Sequence, residues 1–194
     1  MRNFLIVCTL ILPLLTCGAK ADPTVAADWS LVAADGQRVK LSDEAGQQTT
    51  VLLFWATWCP YCKALMPHLQ SMRLEYGDRI KILAINIFED GDPVEFIENA
   101  GYDFTLLLNG DDVADTYAVT GTPSVFVLDD QRVIHFDLRK LPRIEPPDMG
   151  EPASNRRKAA FRAPYWAAEI RKSIDLVLRQ GDIDGVPVPQ QSKR

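Results

Sequence analysis

The run Phe54-Trp55-Ala56-Thr57-Trp58-Cys59-Pro60-Tyr61-Cys62-Lys63 decides how this chain is read. It grows out of the continuous apolar stretch 51–56, which is of strand length. It leads into a helical pattern in which Leu65, Leu69, Met72 and Tyr76 recur at spacings of 4, 3 and 4 before Gly77. The two cysteines therefore fall at a strand-to-helix junction. A sulfur at a helix N-terminus meets unpaired backbone N–H groups and the positive end of the macrodipole, which stabilise its thiolate, the nucleophilic form. Two intervening residues keep the second sulfur close enough to close a disulfide. The pattern implies a redox-active dithiol carried on a helix that Pro67 is expected to kink.

Toward the N-terminus, 29–33 and 38–41 flank the turn dipeptide Asp35-Gly36 and read as a hairpin. Toward the C-terminus, 81–87 is a second buried strand, with isoleucines on alternating positions. Asp92-Pro93 opens a helix to Asn99, Gly101 ends it, and 104–108 is extended. A short helix at 111–117 and a closing hairpin, 125–128 and 133–136 about Asp129-Asp130, complete the pattern. Alternating strands and helices of this kind imply an α/β fold with a mostly parallel sheet covered on both faces.

Composition changes at Arg139. Residues 139–162 hold Pro142, Pro146, Pro147 and Pro152 among basic residues and read as a Pro-rich basic insertion in loop form. A final helix is expected over 164–180. Its Trp166, Ile170, Ile174 and Val177 face the sheet, while Arg171, Asp175 and Arg179 form i,i+4 charge pairs on another side. Residues 181–194 read as a flexible tail.

Arg2, the apolar run 4–15 and the small residues ending in Ala19-Lys20-Ala21 have the three-part form of a secretory signal over 1–21, with cleavage expected before Asp22. An uncleaved anchor and a lipoprotein signal ending at Cys17 are the lesser alternatives. Cleavage removes Cys8 and Cys17, leaving Cys59 and Cys62 as the only pair in residues 22–180, the expected main domain. Cysteines three positions apart cross-link almost no chain entropy, and one CxxC with the scattered His68 and His135 is a poor zinc site. The chain is 47% hydrophobic and 24% charged with a formal net charge of −5, and losing Arg2 and Lys20 makes it two units more negative. That balance gives no general electrostatic reason to bind nucleic acid.

Trp58-Cys59-Pro60-Tyr61-Cys62-Lys63, Pro67, and Thr122-Pro123 just before a strand resemble the thioredoxin superfamily. More narrowly, the chain is similar to the bacterial periplasmic branch typified by TlpA, ResA and CcmG/DsbE. The resemblance implies a thioredoxin-like fold with an N-terminal β-hairpin and a helix–strand insertion, roughly 89–108, before the Pro loop. It also implies a cis peptide at Thr122-Pro123 that faces the cysteines and offers backbone pairing to a substrate segment, with Trp58, Pro60 and Tyr61 lining the same groove. Thioredoxin carries a buried aspartate where this chain has Leu53, so the proton acceptor must be found elsewhere. By the resemblance that role falls to Glu89. A carboxyl partly buried beside a thiol is expected to have a raised pKa and to accept a proton near neutrality. The bland reading of Glu89 is a solvated loop acid.

These features point to a periplasmic disulfide reductase. Cys59 attacks a substrate disulfide and Cys62 resolves the mixed disulfide, with no cofactor beyond the Cys59–Cys62 couple. The resemblance implies disulfide-containing periplasmic proteins, apocytochrome c among them, as substrates, and a membrane electron donor of the DsbD or CcdA kind. A monomer is expected. Two rivals use the same residues otherwise: a protein binding copper(I) through the thiolates, and an adaptor that docks a partner on the basic insertion.

Overall fold

In the computed structural model, which describes residues 24–46, 48–145 and 154–183, the expected hairpin comes first. β1 (Ser30–Val32) and β2 (Arg38–Lys40) pair antiparallel, and the Asp35 carboxylate accepts the Gln37 N–H at 2.9 Å inside the turn. A short helix, α1 (Leu41–Ala45), follows directly; it takes Leu41 from the expected strand and covers 42–45, for which the sequence pattern predicts no element. β3 (Thr49–Trp55) is buried at every position, as a strand is when both sheet faces are covered. α2 (Pro60–Tyr76) begins with Cys59 as N-cap and Pro60 in its first turn, where the missing N–H would have had no partner. It runs on through Pro67, whose carbonyl accepts the Ser71 hydroxyl at 3.0 Å.

β4 (Ile80–Asn86), α3 (Pro93–Ala100), β5 (Thr105–Leu107), α4 (Asp111–Thr116), β6 (Ser124–Leu128) and β7 (Ile134–Asp137) follow. Asp92 caps α3 by accepting the Glu95 N–H, and Gly101 ends it in the left-handed conformation with φ 64°. The sheet order is β5-β4-β3-β6-β7. β3–β4 and β4–β5 are parallel, whereas β3–β6 and β6–β7 are antiparallel, so the sheet is mixed rather than mostly parallel. The reason is the length of α4. Six residues rise about 9 Å, too little to carry the chain back along a strand of about 23 Å. The Asp111 carboxylate also accepts the Phe88 N–H at 2.9 Å, which holds α4 at the carboxyl end of the sheet. β6 therefore starts there and runs back antiparallel.

Alternation along β3 divides the core. Val51, Leu53 and Trp55 join α2, Ile97 of α3 and the last helix on one face. Leu52 and Phe54 join the hairpin, α1 and α4 on the other. Both outer strands are partly covered. Ala34 donates to the Leu106 carbonyl and Leu108 to the Val32 carbonyl beside β5, while Ala26 donates to the Arg132 carbonyl and Ile134 to the Thr24 carbonyl beside β7.

The last helix, α5 (Asn155–Ile183), corrects the expected boundaries. It starts nine residues before Pro164 and carries that proline inside it, so the C-terminal part of the 139–162 insertion is helical rather than loop. Ala159, Ala163 and Ala167 are buried along with Ile170, Ile174 and Val177. The charge pairs also differ from expectation. Arg171 bonds Glu75 of α2 at 2.5 Å, and Asp175 accepts the Tyr76 hydroxyl at 2.6 Å, so these residues join two helices instead of bracing one. Burial and that bond to Asp175 push the Tyr76 phenol up to about 12. Residues 181–183, expected to open the tail, are instead the last of α5, while the leader expected at 1–21, residues 146–153 of the insertion and the tail beyond 183 lie outside the described residues.

Ile174 is fully buried in the cluster shared by α5, α2 and the sheet. Ile174→Ala is expected to cost about 2–5 kcal/mol, seen as a lower urea midpoint with an unchanged slope.

Candidate active site

Register places the site. Phe54 lies opposite Ser124, and Trp55 lies opposite Asn86. The Thr122–Pro123 turn, the loop after β4 and the start of α2 thus converge at the carboxyl end of β3, where open α/β sheets place their ligand sites. Cys59 and Cys62 form a disulfide with a Cα–Cα distance of 5.3 Å. Cys59 Sγ, as the N-cap, accepts the Cys62 N–H at 3.1 Å, and the Cys59 N–H donates to the Ala56 carbonyl at 3.2 Å. In the reduced protein the same N–H and the helix end would favour a Cys59 thiolate. Cys59 is only 1% exposed, not openly accessible as its position at the helix start suggested, because both sulfurs belong to the α2–α5 core cluster. Thr122–Pro123 is cis, and both residues are half-buried.

Glu89 takes its place at the junction, but its chemistry is the reverse of the expected one. Its carboxylate accepts the Thr57 N–H at 2.9 Å and the Thr57 hydroxyl at 2.5 Å. It also accepts the Asn86 side-chain amide and the N–H groups of Asp90 and Gly91, both at 3.0 Å. Burial alone would raise its pKa, but the bonds from Thr57, Asn86 and Gly91 outweigh burial and the net shift is downward. Glu89 is therefore held as an anion, not poised to take a proton near neutrality. Gly91 is required by the same packing, since a Cβ there would come within 2.6 Å of Thr57 Oγ1.

Aromatic side chains flank the cysteine run. Trp58 is half exposed, and its indole N–H donates to the Phe88 carbonyl at 2.7 Å. Phe88, itself 43% exposed, adopts a left-handed φ of 52°. Tyr61 faces Trp166 with ring centroids 6.0 Å apart, and the Arg162 guanidinium lies 5.8 Å from the Tyr61 ring. Lys63 Nζ lies 5.3 Å from the Phe96 ring centre. Thr57, Asn86, Phe88 and Arg162 carry no motif by themselves. Only the positions of Thr57 inside the cysteine run and of Asn86 at the end of an apolar strand could have drawn attention to them.

Residues 24–136, over half of the 194, match the AhpC/TSA family. The chain belongs to that family. Among its relatives, the thioredoxin-like protein YneN of Bacillus subtilis is 31% identical over 114 residues, covering 56% of this chain and 66% of YneN. The thiol-disulfide oxidoreductase ResA of the same organism is 32% identical over 97 residues, covering 48% of this chain and 54% of ResA. The chain thus spans between about half and two thirds of the length of these relatives. A crystal structure of a putative thiol:disulfide interchange protein DsbE from Chlorobium tepidum superimposes with a TM-score of 0.54 at 28% identity, covering 59% of this chain and 82% of that one. The fold of this AhpC/TSA-family chain is thioredoxin-like, with the N-terminal hairpin and the α3–β5 insertion in place.

Glu89→Gln removes the anion that Thr57, Asn86 and Gly91 hold. It is expected to cost about 1–2 kcal/mol near neutral pH, low in the range for charge-assisted bonds because the site is partly open to water. The Glu89 pKa lies below its ordinary 4.5 in the folded chain. Its contribution is therefore complete above that value and is lost as pH falls through the folded value. Urea unfolding of the two proteins across that descent should show the gap closing. A gap that stays constant or widens in acid contradicts the assignment.

Proposed function

We propose that this protein is a thiol-disulfide oxidoreductase that works in the periplasm as a reductase of disulfide-containing proteins. The observation that carries the reading is the Cys59–Cys62 disulfide across the first turn of α2, with the Cys62 N–H on Cys59 Sγ. The similarity to ResA and to a DsbE-type structure supports it.

In the reduced protein the Cys59 thiolate attacks one sulfur of a substrate disulfide. A mixed disulfide forms and the first substrate thiolate leaves. The Cys62 thiolate then attacks Cys59 Sγ, which releases the second substrate thiolate and closes the Cys59–Cys62 bond. Two electrons pass from the dithiol to the substrate. Trp58, Pro60, Tyr61, Thr122 and Pro123 line the approach. The polypeptide is held by backbone pairing at the Thr122–Pro123 turn and by apolar contact with Trp58. Glu89 acts as a fixed anion that keeps Thr57, and with it the cysteine loop, in register.

A reductant in an oxidising compartment must be recharged, so a membrane dithiol donor of the DsbD or CcdA kind completes the cycle. Apocytochrome c is a fitting substrate, since its cysteines must be reduced before haem attachment. The leader-like segment 1–21 supports export. Among the described residues no helix is long and apolar enough to cross a membrane.

Insulin reduction driven by dithiothreitol tests the activity. Cys59→Ser is expected to bring the rate down to the uncatalysed background. Cys62→Ser should accumulate a mixed disulfide, visible as an added substrate mass on Cys59. Full activity in either variant overturns the reading. A strongly oxidising potential for the 59–62 couple, measured against glutathione, would overturn the direction assigned to it.

A further inference from the structure

The insertion and the early start of α5 end against the redox helix. Tyr61 lies between the two cysteines in sequence, and its ring meets Trp166 and the Arg162 guanidinium, both on α5. Arg162 is anchored on its other side. Nε donates to the Ile144 carbonyl at 3.1 Å, and Nη2 reaches the two Glu145 carboxylate oxygens at 3.2 and 3.4 Å. The Arg162 side chain is only 15% exposed, whereas Glu145 is 66% exposed. Leu141 packs on the cluster that contains Cys59, Cys62 and Ala163. One guanidinium therefore joins three parts of the chain: the strap 141–145, the first turns of α5 and the side chain of Tyr61, which stands between the two cysteines in sequence.

We propose that Arg162 is a positioning and specificity-determining residue of the redox site: anchored by Ile144 and Glu145, it clamps Tyr61 against Trp166 and walls the α5 side of the Cys59–Cys62 pair. An exposed ion pair alone would matter little. Here the cation is mostly buried, rests on an aromatic face and is held by a planar fork that lysine cannot reproduce. Tyr61 and Trp166 pack against the core cluster that leaves Cys59 only 1% exposed, so the wall adds to that burial. It leaves the approach beside Trp58 and the Thr122–Pro123 turn, which suits an extended polypeptide that can pair with backbone. A small disulfide has no such hold and must reach Cys59 against the wall.

For substrate choice this inference rests on the oxidoreductase reading, but access to Cys59 can be measured without it. The full chain, reduced with dithiothreitol and then freed of it, is alkylated with iodoacetamide across pH, and modification of Cys59 is followed by peptide mass. The plateau rate reports access to the Cys59 thiolate and the midpoint reports its ionisation. Arg162→Ala is expected to raise the plateau about tenfold, as the loss of a desolvated cation–aromatic clamp over a reactive sulfur would. Arg162→Lys should fall between the two, and Glu145→Gln should raise the plateau by less than Arg162→Ala. In turnover, the rate with oxidised glutathione relative to insulin should rise in the same order. An unchanged plateau and an unchanged ratio in Arg162→Ala and Glu145→Gln overturn the proposal, even if the wild type reduces insulin well. If the wild type reduces no disulfide, the oxidoreductase reading falls and the plateau still decides the wall. If Arg162→Ala does not fold, Glu145→Gln and Arg162→Lys decide by the same criteria.

Discussion

β3 is hydrogen-bonded along both edges and buried on both faces, and the site depends on that constraint. A strand fixed in four directions can deliver the residues after it to one place only. Cys59 lands at the end of α2, with a free N–H of that helix aimed at its sulfur. The neighbours β4 and β6 deliver Phe88–Gly91 and Thr122–Pro123 to the same level through their register with Trp55 and Phe54. Chemistry thus sits at the rim of a rigid sheet, on loops whose roots cannot move.

Glu89 shows how such loops are tied without a covalent link. It gathers donors from Thr57 before the cysteines and from Asn86, Asp90 and Gly91 around itself, so two loops share one anion. Satisfying a carboxylate this fully removes it from proton traffic near neutrality. The Cys62 thiol has no partner of the thioredoxin type at position 53, where Leu53 is buried in the core. Stabilisation of sulfur anions then rests on the backbone of α2, a fixed dipole that does not titrate.

Most of the fold was legible because β3 and β4 are unbroken apolar runs and because Asp92, Gly101 and the Cys59-Pro60 pair are strong boundary signals. Three features were not. The direction of β6 depends on how far α4 reaches, which strand and helix patterns do not encode. The start of α5 is hidden because its buried positions there are Ala159 and Ala163, too small to register as an apolar stripe, and because Pro164 reads as a boundary. The pKa of Glu89 depends on donors as distant as Thr57, 32 residues away. A sequence shows that a carboxyl is near a thiol's strand but not how many N–H groups surround it. The Cys59–Cys62 pairing and the cis Thr122–Pro123 bond were readable for the opposite reason, since each belongs to a short motif whose residue types are dictated locally.

Partial coverage of the outer strands protects the sheet margins. Backbone donors and acceptors beside β5 are engaged by 32–34, and those beside β7 by 24–26. A bare sheet margin would template intermolecular strand addition and aggregation. Among the described residues the N-terminal segment occupies part of each margin, and on the proposed function this would leave the proline turn as the place where an extended client pairs. Under that proposal, capture would be favoured where sulfur exchange can follow.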